Sequence, residues 1–220
     1  VDLTLDEEDF GPDRDICGGF MARKGGFWWL EWGGALDTVH DTVRIREQIH
    51  EIIYAAWDYL KNRSPIKDEI RTYELDWVGA IPGKRESRRL EGDHLLSQVD
   101  IETQRHFDDA VAYGGWGFDH HPKEGFFSDE PSYHVHHKGP YDIPLRSLYS
   151  RRVPNMFMAG RNLSATHYGL SSTRVMLTCS QLGEAVGMAT AYCARYEATP
   201  RQLVADGRIE EVQRALQRAD

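Results

Sequence analysis

With 220 residues, of which 40% are hydrophobic and 28% charged, the chain is long enough and apolar enough to bury a sizeable core. Its net charge of −9 excludes general nucleic-acid binding, because that activity needs a basic surface that displaces counterions from phosphates. The sequence also contains no apolar run long enough to span a membrane. We therefore expect a small-molecule substrate, with neither nucleic acid nor membrane as a partner.

The cysteines give a weak indication of the compartment. Cys17, Cys179 and Cys193 form no even-numbered disulfide framework, and we interpret the last two as small apolar residues of a buried helix. Free thiols favour a reducing compartment, so the expected location is the cytoplasm. The first residue, Val1, is not methionine, so the sequence does not show whether a targeting segment precedes it.

The chain opens with an acidic stretch and an aromatic cluster. We interpret residues 1–15, which carry few apolar side chains, as a loop or an arm that lies on another surface. Residues 25–34, GGFWWLEWGG, are predicted to form a short strand covered on both faces, with Trp28 and Leu30 on the same face. The alternative for this segment is an aromatic platform that binds a ligand.

The next segments carry helix and strand patterns. Apolar residues recur with helical spacing from Thr38 to Lys61, after the candidate amino cap Asp41, and predict a long helix. Residues 73–81 predict a strand that closes at a Pro-Gly pair. Ser97 is predicted to cap a short helix that has Asp100 in its first turn.

Residues 108–131 are rich in Gly, His and Asp, and we interpret them as an irregular insertion on the surface or over a pocket. Residues 133–138 and 141–149 are predicted to be extended, with Pro144 indicating an edge or a bulge. An amphipathic unit is predicted from Thr199 to about Arg218.

Residues 155–196 form the most informative stretch. Residues 155–159 predict a buried strand, a turn at Gly160 follows, and residues 171–174 are predicted to open a long helix rich in small residues. A helix amino terminus presents unpaired N–H groups and partial positive charge, which suits a phosphate or an electron-rich carbonyl such as that of a flavin. The alternative is that the serines there only cap the helix.

A charged run, GKRESRRLEGD, covers residues 83–93 and places four cations around Glu86. If this run is a strand, Arg85 and Arg89 share one face. Guanidinium groups suit bidentate recognition of carboxylate or phosphate. The alternative is a solvated run whose charges pair with one another.

Histidines are concentrated between His120 and His137. His134 and His136 would project to one side of a strand, and a third ligand would complete a zinc-like site. Such ligands are offered by His121, Glu124 and Asp129. The other interpretations are an acid/base role and a purely structural role, and we assign no metal ligands. His167, between the glycine turn and the predicted helix, is a separate acid/base candidate.

Five segments in order resemble the family of FAD-dependent oxidoreductases typified by large bacterial flavoproteins, some of them described as xanthan-lyase-like. The matching segments span about residues 25–194 and read WWLEWGG, AAWDYLKN, GAIPGKRESRRLEGDHLL, YDIPLRSLY, and VPNMFMAGRNLSATH continuing into STRVMLTCSQLGEAVG. The resemblance implies a mixed α and β fold. A substrate-side sheet with helices would be followed by a C-terminal strand, turn and helix that complete a two-part FAD site.

The resemblance also implies roles for individual residues. Gly160 and Arg161 would lie by the ribityl and pyrophosphate groups of FAD, while Ser172, Thr173, Arg174 and Val175 would border the flavin ring. The arginines expected on the substrate side are Arg85, Arg88, Arg89 and Arg146. Separately from the resemblance, the candidates for the base are His167 and one of His134, His136 or His137.

The family's amino-terminal Gly-x-Gly-x-x-Gly turn does not occur in this sequence. We therefore expect a partner, either a separate FAD-binding polypeptide or a missing half of the same protein. The expected segments are an arm (1–24), a substrate-side region (25–150), the FAD-completing piece (151–196) and a helical tail (197–220).

The predicted function is hydride transfer between a carbon substrate, alcohol-bearing or sugar-like, and flavin. A non-catalytic assembly subunit of a flavoprotein and a histidine-rich metal-binding domain are the alternatives.

Overall fold

The computed structural model describes residues 2–10, 14–21 and 27–219. Parts of the predicted arm and of the predicted aromatic strand lie outside these ranges. The chain divides into two compact units, each with its own core. Unit 1 comprises residues 1–84 and 121–132, and unit 2 comprises residues 85–120 and 133–220. The sequence analysis divided the chain by function into residues 1–24, 25–150, 151–196 and 197–220. The two compact units do not test that division, which stays a prediction.

Unit 1 is built around the predicted long helix. Helix α1 covers Ile16–Met21 and helix α2 covers Thr42–Asn62, so the helix predicted over residues 38–61 is confirmed. Its buried side chains recur three or four residues apart, as Ile52, Ala56 and Tyr59 do, and they face one side of the helix. They pack with Phe10 and Trp29 in the core of this unit.

Two strands predicted in unit 1 are wrong. Residues 27–34 form turns, with the Leu30 N–H donating to the carbonyl of Phe27. Trp29 is buried while Trp28 is 52% exposed, so the segment is not covered on both faces as predicted. Residues 73–81 are irregular. In both segments the residue pattern suits a strand, but the described chain offers them no ladder of backbone partners.

Unit 2 contains most of the regular structure. Its elements are α3 (Gln98–Glu102), β1 (Ala110–Gly114), β2 (Phe118–His120), β3 (Tyr133–Val135), β4 (Tyr141–Pro144), α4 (His167–Thr173), α5 (Met176–Tyr196), α6 (Pro200–Ala205) and α7 (Ile209–Ala219). The mixed α and β class is therefore confirmed. Within the described ranges, every helix is too short or too polar to cross a membrane.

The described strands pair as two antiparallel ribbons, β1 with β4 and β2 with β3. The β1–β4 pairing has an irregularity between Ala110 and Ala112, and Pro144 ends β4 where a missing N–H is tolerated. Residues 108–131 were predicted to be irregular, but they contain β1 and β2. Glycine and histidine lower strand propensity, and here pairing with β4 and β3 overrides that preference.

Helix α5 lies at the centre of unit 2. It packs against β1, α6 and α7, and its buried side chains Leu182, Ala185 and Ala189 join the core cluster. Thr199 and Pro200 begin α6 with a capping box, in which the Thr199 hydroxyl accepts from the Gln202 N–H at 3.3 Å. The amphipathic unit predicted after Thr199 is confirmed, although it consists of two helices.

Helix α3 confirms the predicted cap. The Ser97 hydroxyl accepts from the Asp100 N–H at 3.3 Å, and the Asp100 carboxylate accepts from the Ser97 N–H at 2.9 Å. The strand predicted over residues 155–159 is reduced to a single antiparallel bridge between Phe157 and Tyr149. A strand needs a partner segment of several residues, and in the described chain this segment pairs only through Phe157 and Tyr149.

Candidate functional site

The glycine turn lies beside the first turn of α5, and both belong to unit 2. Gly160 has a φ of +96°, which favours glycine, and a Cβ placed on it would lie 4.0 Å from the Cβ of Cys179. Burial raises the pKa of the Cys179 thiol, which favours the neutral thiol over the thiolate. The structure therefore brings together the two parts of the predicted cofactor stretch, residue 160 and the start of α5.

The predicted long helix is two helices, which corrects the position of its amino terminus. Helix α4 ends at Thr173, Arg174 follows as its carboxyl cap, and Val175 is extended with φ −73° and ψ 152°. Helix α5 begins only at Met176, and in the described chain its cap residue Val175 provides no side-chain hydrogen bond. The prediction that residues 171–174 open the long helix, with serines as caps, is therefore wrong.

The hydroxyl groups predicted to border a cofactor point into the protein. The Ser172 hydroxyl donates to the carbonyl of Trp116 and accepts from the Tyr141 hydroxyl at 2.6 Å, because a carbonyl oxygen can only accept. Burial raises the pKa of Tyr141 to about 12, so this donor keeps its proton. The Thr173 hydroxyl donates to the carbonyl of Gly169 at 3.1 Å. These hydrogen bonds hold the last turn of α4 in place.

Arg174 forms an ion pair with Asp119 of strand β2. Its side chain is only 13% exposed, so the pair lies mostly out of solvent. The ion pair ties the junction between α4 and α5 to the β2–β3 ribbon. It also means that the positive charge of Arg174 is balanced within this unit.

The clearest acid/base arrangement involves His167, the first residue of α4. Its Nδ1 lies 2.5 Å from Oε2 of Glu86. The other carboxylate oxygen of Glu86, Oε1, lies 2.9 Å from Nε of Arg89. Arg89 also donates from a terminal nitrogen to the carbonyl of Ala165 at 2.6 Å. A carboxylate thus connects an imidazole to a guanidinium that is itself anchored to the backbone.

Aromatic rings surround this arrangement. The ring of His120 meets that of His167 edge-on, with centroids 6.0 Å apart, and stacks on Tyr168 at 5.7 Å. On its other side His120 lies 4.7 Å from the ring of Tyr133. The β2–β3 ribbon therefore contributes an imidazole to the neighbourhood of His167.

His134 and His136 lie on or beside β3, and both are exposed. Their ring centroids are 4.7 Å apart, and His134 also stacks on Trp116 at 4.9 Å. His121 belongs to unit 1, where its Nδ1 lies 2.6 Å from Oε1 of Glu31. A search of the described ranges finds no cluster of three or more His, Cys, Asp or Glu that could hold a metal ion.

The arginines expected on the substrate side have different surroundings. Arg146 makes a bidentate ion pair with the buried Asp109, at 2.9 and 3.1 Å, and these hydrogen bonds raise the pKa of Arg146. Arg88 is exposed, and Arg85 is half-buried in the same segment. Residues 85–89 are irregular and do not form a strand, and Arg89 pairs with Glu86 three residues earlier, as the alternative of a self-paired run expects.

Comparison with models of protein families identifies the family of this chain. The model of the family described as FAD dependent oxidoreductase matches residues 11–216. The chain belongs to this family. Comparisons with curated proteins and with solved structures found no match. Membership of a flavoprotein family implies FAD binding and an oxidoreductase role.

The start of α5 fits part of a flavin cofactor. The first N–H groups of a helix have no intrahelical acceptor, and Val175 cannot cap them with its side chain. Gly160 lies beside this helix end and leaves room that a side chain would fill. By contrast, Ser172 and Thr173 have hydroxyls that donate inward. The donors that this end of α5 offers to a cofactor are therefore backbone N–H groups.

Sequence reasoning missed three carboxylates that organise this flavoprotein's site, namely Glu86, Asp109 and Asp119. Glu86 did leave a signal, because it is the only anion between Lys84 and Arg89, where four cations surround it. Asp109 and Asp119 pair with arginines that follow them by 37 and 55 residues, so local patterns carry no trace of the pairing.

Unit 1 contains a cleft of about 260 Å³ that includes Trp32 of the aromatic segment. The other lining residues are Gly33, Ala35, Leu36, Lys123, Glu124 and Phe127. Of the described aromatic residues in the predicted platform, only Trp32 lines this cleft, and the aromatic-platform alternative stays a prediction.

Proposed function

We propose that the chain forms the flavin-completing and substrate-side part of an FAD-dependent oxidoreductase that transfers hydride between a carbon substrate and flavin. The observation that carries this proposal is the family match together with the contact between the turn at Gly160 and the first turn of α5. When bound, FAD supplies a ring that accepts or donates a hydride.

The cofactor is held by Gly160, Arg161 and the backbone that begins α5 after Val175, while Arg174 fixes the junction before α5 through its ion pair with Asp119. A helix amino terminus favours negative charge by roughly 0.3–1 kcal/mol when exposed, so it stabilises an electron-rich carbonyl or a reduced ring. Ser172 and Thr173 stabilise the end of α4 through their inward hydrogen bonds and do not contact the cofactor through their hydroxyls.

The proposed substrate is an alcohol or a sugar-like molecule. Oxidation of an alcohol to a carbonyl compound needs a group that accepts the hydroxyl proton, and the candidate imidazoles of this chain suit that role. His167 is the base we favour, since it is exposed and is the candidate imidazole that pairs with a carboxylate at 2.5 Å. His134 and His136 stay second candidates. Arg85 and Arg88 orient the substrate, whereas Arg146 and Arg89 act through their ion pairs.

The partner is a polypeptide segment that carries the family's Gly-x-Gly-x-x-Gly turn and binds the ADP half of FAD. Helix α5 offers a surface for it: Met176 and Leu177 are 87% and 81% exposed. Gly183 and Gly187 continue that surface, and in the described chain a Cβ on either would meet no atom within 4 Å.

A substitution at Met176 tests the role of the α5 terminus. Proline at the first helical position removes one N–H while keeping the helix, and the extended backbone of Val175 suits a following proline. We expect Met176→Pro to weaken FAD binding about tenfold, the effect of one lost hydrogen bond of about 1.4 kcal/mol. FAD release is measured by flavin fluorescence in the protein joined to its partner.

Met176→Ala is the matched control, because it removes the same side chain and keeps the N–H. Equal FAD affinity of the two variants would contradict the proposed contact. A non-catalytic assembly role predicts a colourless, folded monomer. A preparation with visible flavin absorbance, particularly one in which a second polypeptide copurifies, favours the enzyme.

A further inference from the structure

We propose that Glu86 and Arg89 are positioning residues that hold His167 in one tautomer, with Nε2 directed to accept the hydroxyl proton of the substrate. This inference rests on the proposed function, because it assigns a support to the base of that reaction. Glu86 and Arg89 act through His167 and need not touch the substrate.

The first step is the identity of the proton donor. A carboxylate can only accept a hydrogen bond, so the nitrogen of His167 that lies 2.5 Å from Glu86 Oε2 carries the hydrogen. In a neutral imidazole the other nitrogen is then the acceptor. The contact with Glu86 therefore makes Nε2 the basic atom of His167.

The second step is the anchoring of the carboxylate. Glu86 is held through its second oxygen by Nε of Arg89 at 2.9 Å, and Arg89 donates to the carbonyl of Ala165 at 2.6 Å. Ala165 lies two residues before His167 in the chain. The hydrogen bonds and the backbone thus close a ring that fixes both ends of the Glu86–His167 contact.

The third step is the local helix start. Thr166 caps α4, with its hydroxyl accepting from the Gly169 N–H at 3.1 Å, so the backbone that carries His167 is also held. The His167 side chain is 57% exposed, and a substrate can reach it. Rigid backbone and an accessible imidazole are the two requirements for a directed base.

The surroundings balance the charge that the base acquires. The groups that face His167 are Glu86 with Arg89 behind it, the ring of His120 from β2 and the ring of Tyr168 from α4. When the hydroxyl proton of the substrate moves to Nε2, the imidazole becomes an imidazolium. The carboxylate of Glu86 then stabilises that cation, while the substrate oxygen keeps the electron pair of its former O–H bond.

The decisive measurement is the tautomer of His167 by nitrogen-15 NMR of the labelled chain, which needs no substrate. We expect the neutral ring to carry its hydrogen on Nδ1. Glu86→Ala removes the acceptor and yields a mixture of tautomers. Glu86→Gln retains an amide oxygen as acceptor and restores the Nδ1 signal in part. A wild-type ring with hydrogen on Nε2, or a signal unchanged in Glu86→Ala, would overturn the proposal.

Glu91→Gln is the matched control. Glu91 belongs to the same charged run but pairs with Arg152 on an exposed surface at 3.1 Å, so its substitution leaves the His167 signal unchanged. A third variant, Arg89→Gln, keeps Glu86 and removes its anchor. It is expected to broaden the His167 signal without removing the tautomer preference.

Turnover provides a second readout. In the FAD-loaded protein, a panel of primary alcohols and aldoses is tested for flavin bleaching. Glu86→Ala and His167→Ala each lower the rate by about tenfold to a hundredfold, and the double variant loses little more, because both residues act through one imidazole.

An additive loss in the double variant would overturn the positioning role. Absence of bleaching with every member of the panel would remove alcohol oxidation from the proposed function, and the NMR measurement would still decide the contact between Glu86 and His167.

Discussion

Buried carboxylates organise unit 2 at the scale of single side chains. Asp109 is 2% exposed and accepts from Arg146 through both oxygens. Asp100 is 6% exposed and accepts from Ser97 and from Arg105. Each buried charge is paired and hydrogen-bonded, which is the condition under which a buried carboxylate is tolerated. Removing one partner of a buried carboxylate therefore lowers the free energy of unfolding by more than an exposed ion pair contributes to it.

Asp100 supports a prediction about pH. Burial raises the pKa of Asp100, but the hydrogen bonds from the Ser97 backbone, the Ser97 hydroxyl and Arg105 together lower it by more. The net pKa of Asp100 therefore lies below its ordinary value. This contribution to stability is complete above the unfolded pKa of about 3.9 and is lost as pH falls through the folded pKa. At neutral pH, Asp100→Asn is expected to lower the free energy of unfolding by about 1–3 kcal/mol.

The measurement is urea denaturation of both proteins at a series of pH values. The two unfolding free energies should converge as the pH falls below about 4. Glu102→Gln, an exposed change in the same helix, is the control and should alter stability by less than about 0.5 kcal/mol. A difference between wild type and Asp100→Asn that persists unchanged in acid would contradict the assigned role.

At the scale of elements, α4 is held against residues around Leu96. The Leu96 N–H donates to the Ser164 carbonyl at 3.0 Å, and the Thr166 N–H donates to the Leu96 carbonyl at 2.9 Å. A Cβ on Gly169 would lie 2.5 Å from that carbonyl oxygen, so only glycine permits the close approach. The helix that carries His167 therefore depends on a glycine for its position.

Two glycine substitutions separate close packing from helix propensity. Gly169→Ala should destabilise the chain by about 1–3 kcal/mol, because the methyl group forces the backbone apart. Gly183→Ala, inside α5 and facing open space in the described chain, should stabilise it by about 0.5–1 kcal/mol. Thermal and urea unfolding of both variants measure these effects. Equal effects would show that the contact with Leu96 does not constrain α4.

Helix α2 and the cap of α3 were predictable because their signals are local. Asp41 stands at the cap position of α2, but its side chain makes no capping hydrogen bond in the described chain. The apolar period of α2 and the Ser97–Asp100 pair lie within a few residues of one another, and both predictions are confirmed. The strands predicted at residues 27–34, 73–81 and 155–159 did not form ladders. A strand is stabilised by partners distant in sequence, and alternation alone does not supply them.

The whole molecule consists of two units with separate cores, and family membership extends over both. Within unit 2, one face of α5 packs on β1, α6 and α7, while Met176 and Leu177 at its start are exposed. We therefore expect the partner that binds the ADP half of FAD to cover this exposed face. The localisation predicted from the cysteines stays a prediction.

A bulky residue on α5 tests this docking surface. Gly183→Leu is expected to weaken association with the FAD-binding partner by at least about tenfold, because helices that meet at glycine approach closely and a large side chain separates them. Association is measured by calorimetric titration of the purified parts. Gln217→Leu, an exposed change on α7, is the control. Unchanged affinity in Gly183→Leu would place the partner elsewhere.

The sequence by itself determined the flavoprotein family, the mixed fold class, the long helix α2 and the Ser97 cap of α3, because motifs, helical periods and this capping pair are read from neighbouring residues. Only the tertiary structure decided that the predicted long helix breaks at Arg174 and Val175. It also decided that Glu86 meets His167 across 81 residues and that Ser172 points inward. These features depend on contacts between distant segments, and such contacts exist only once the core has formed.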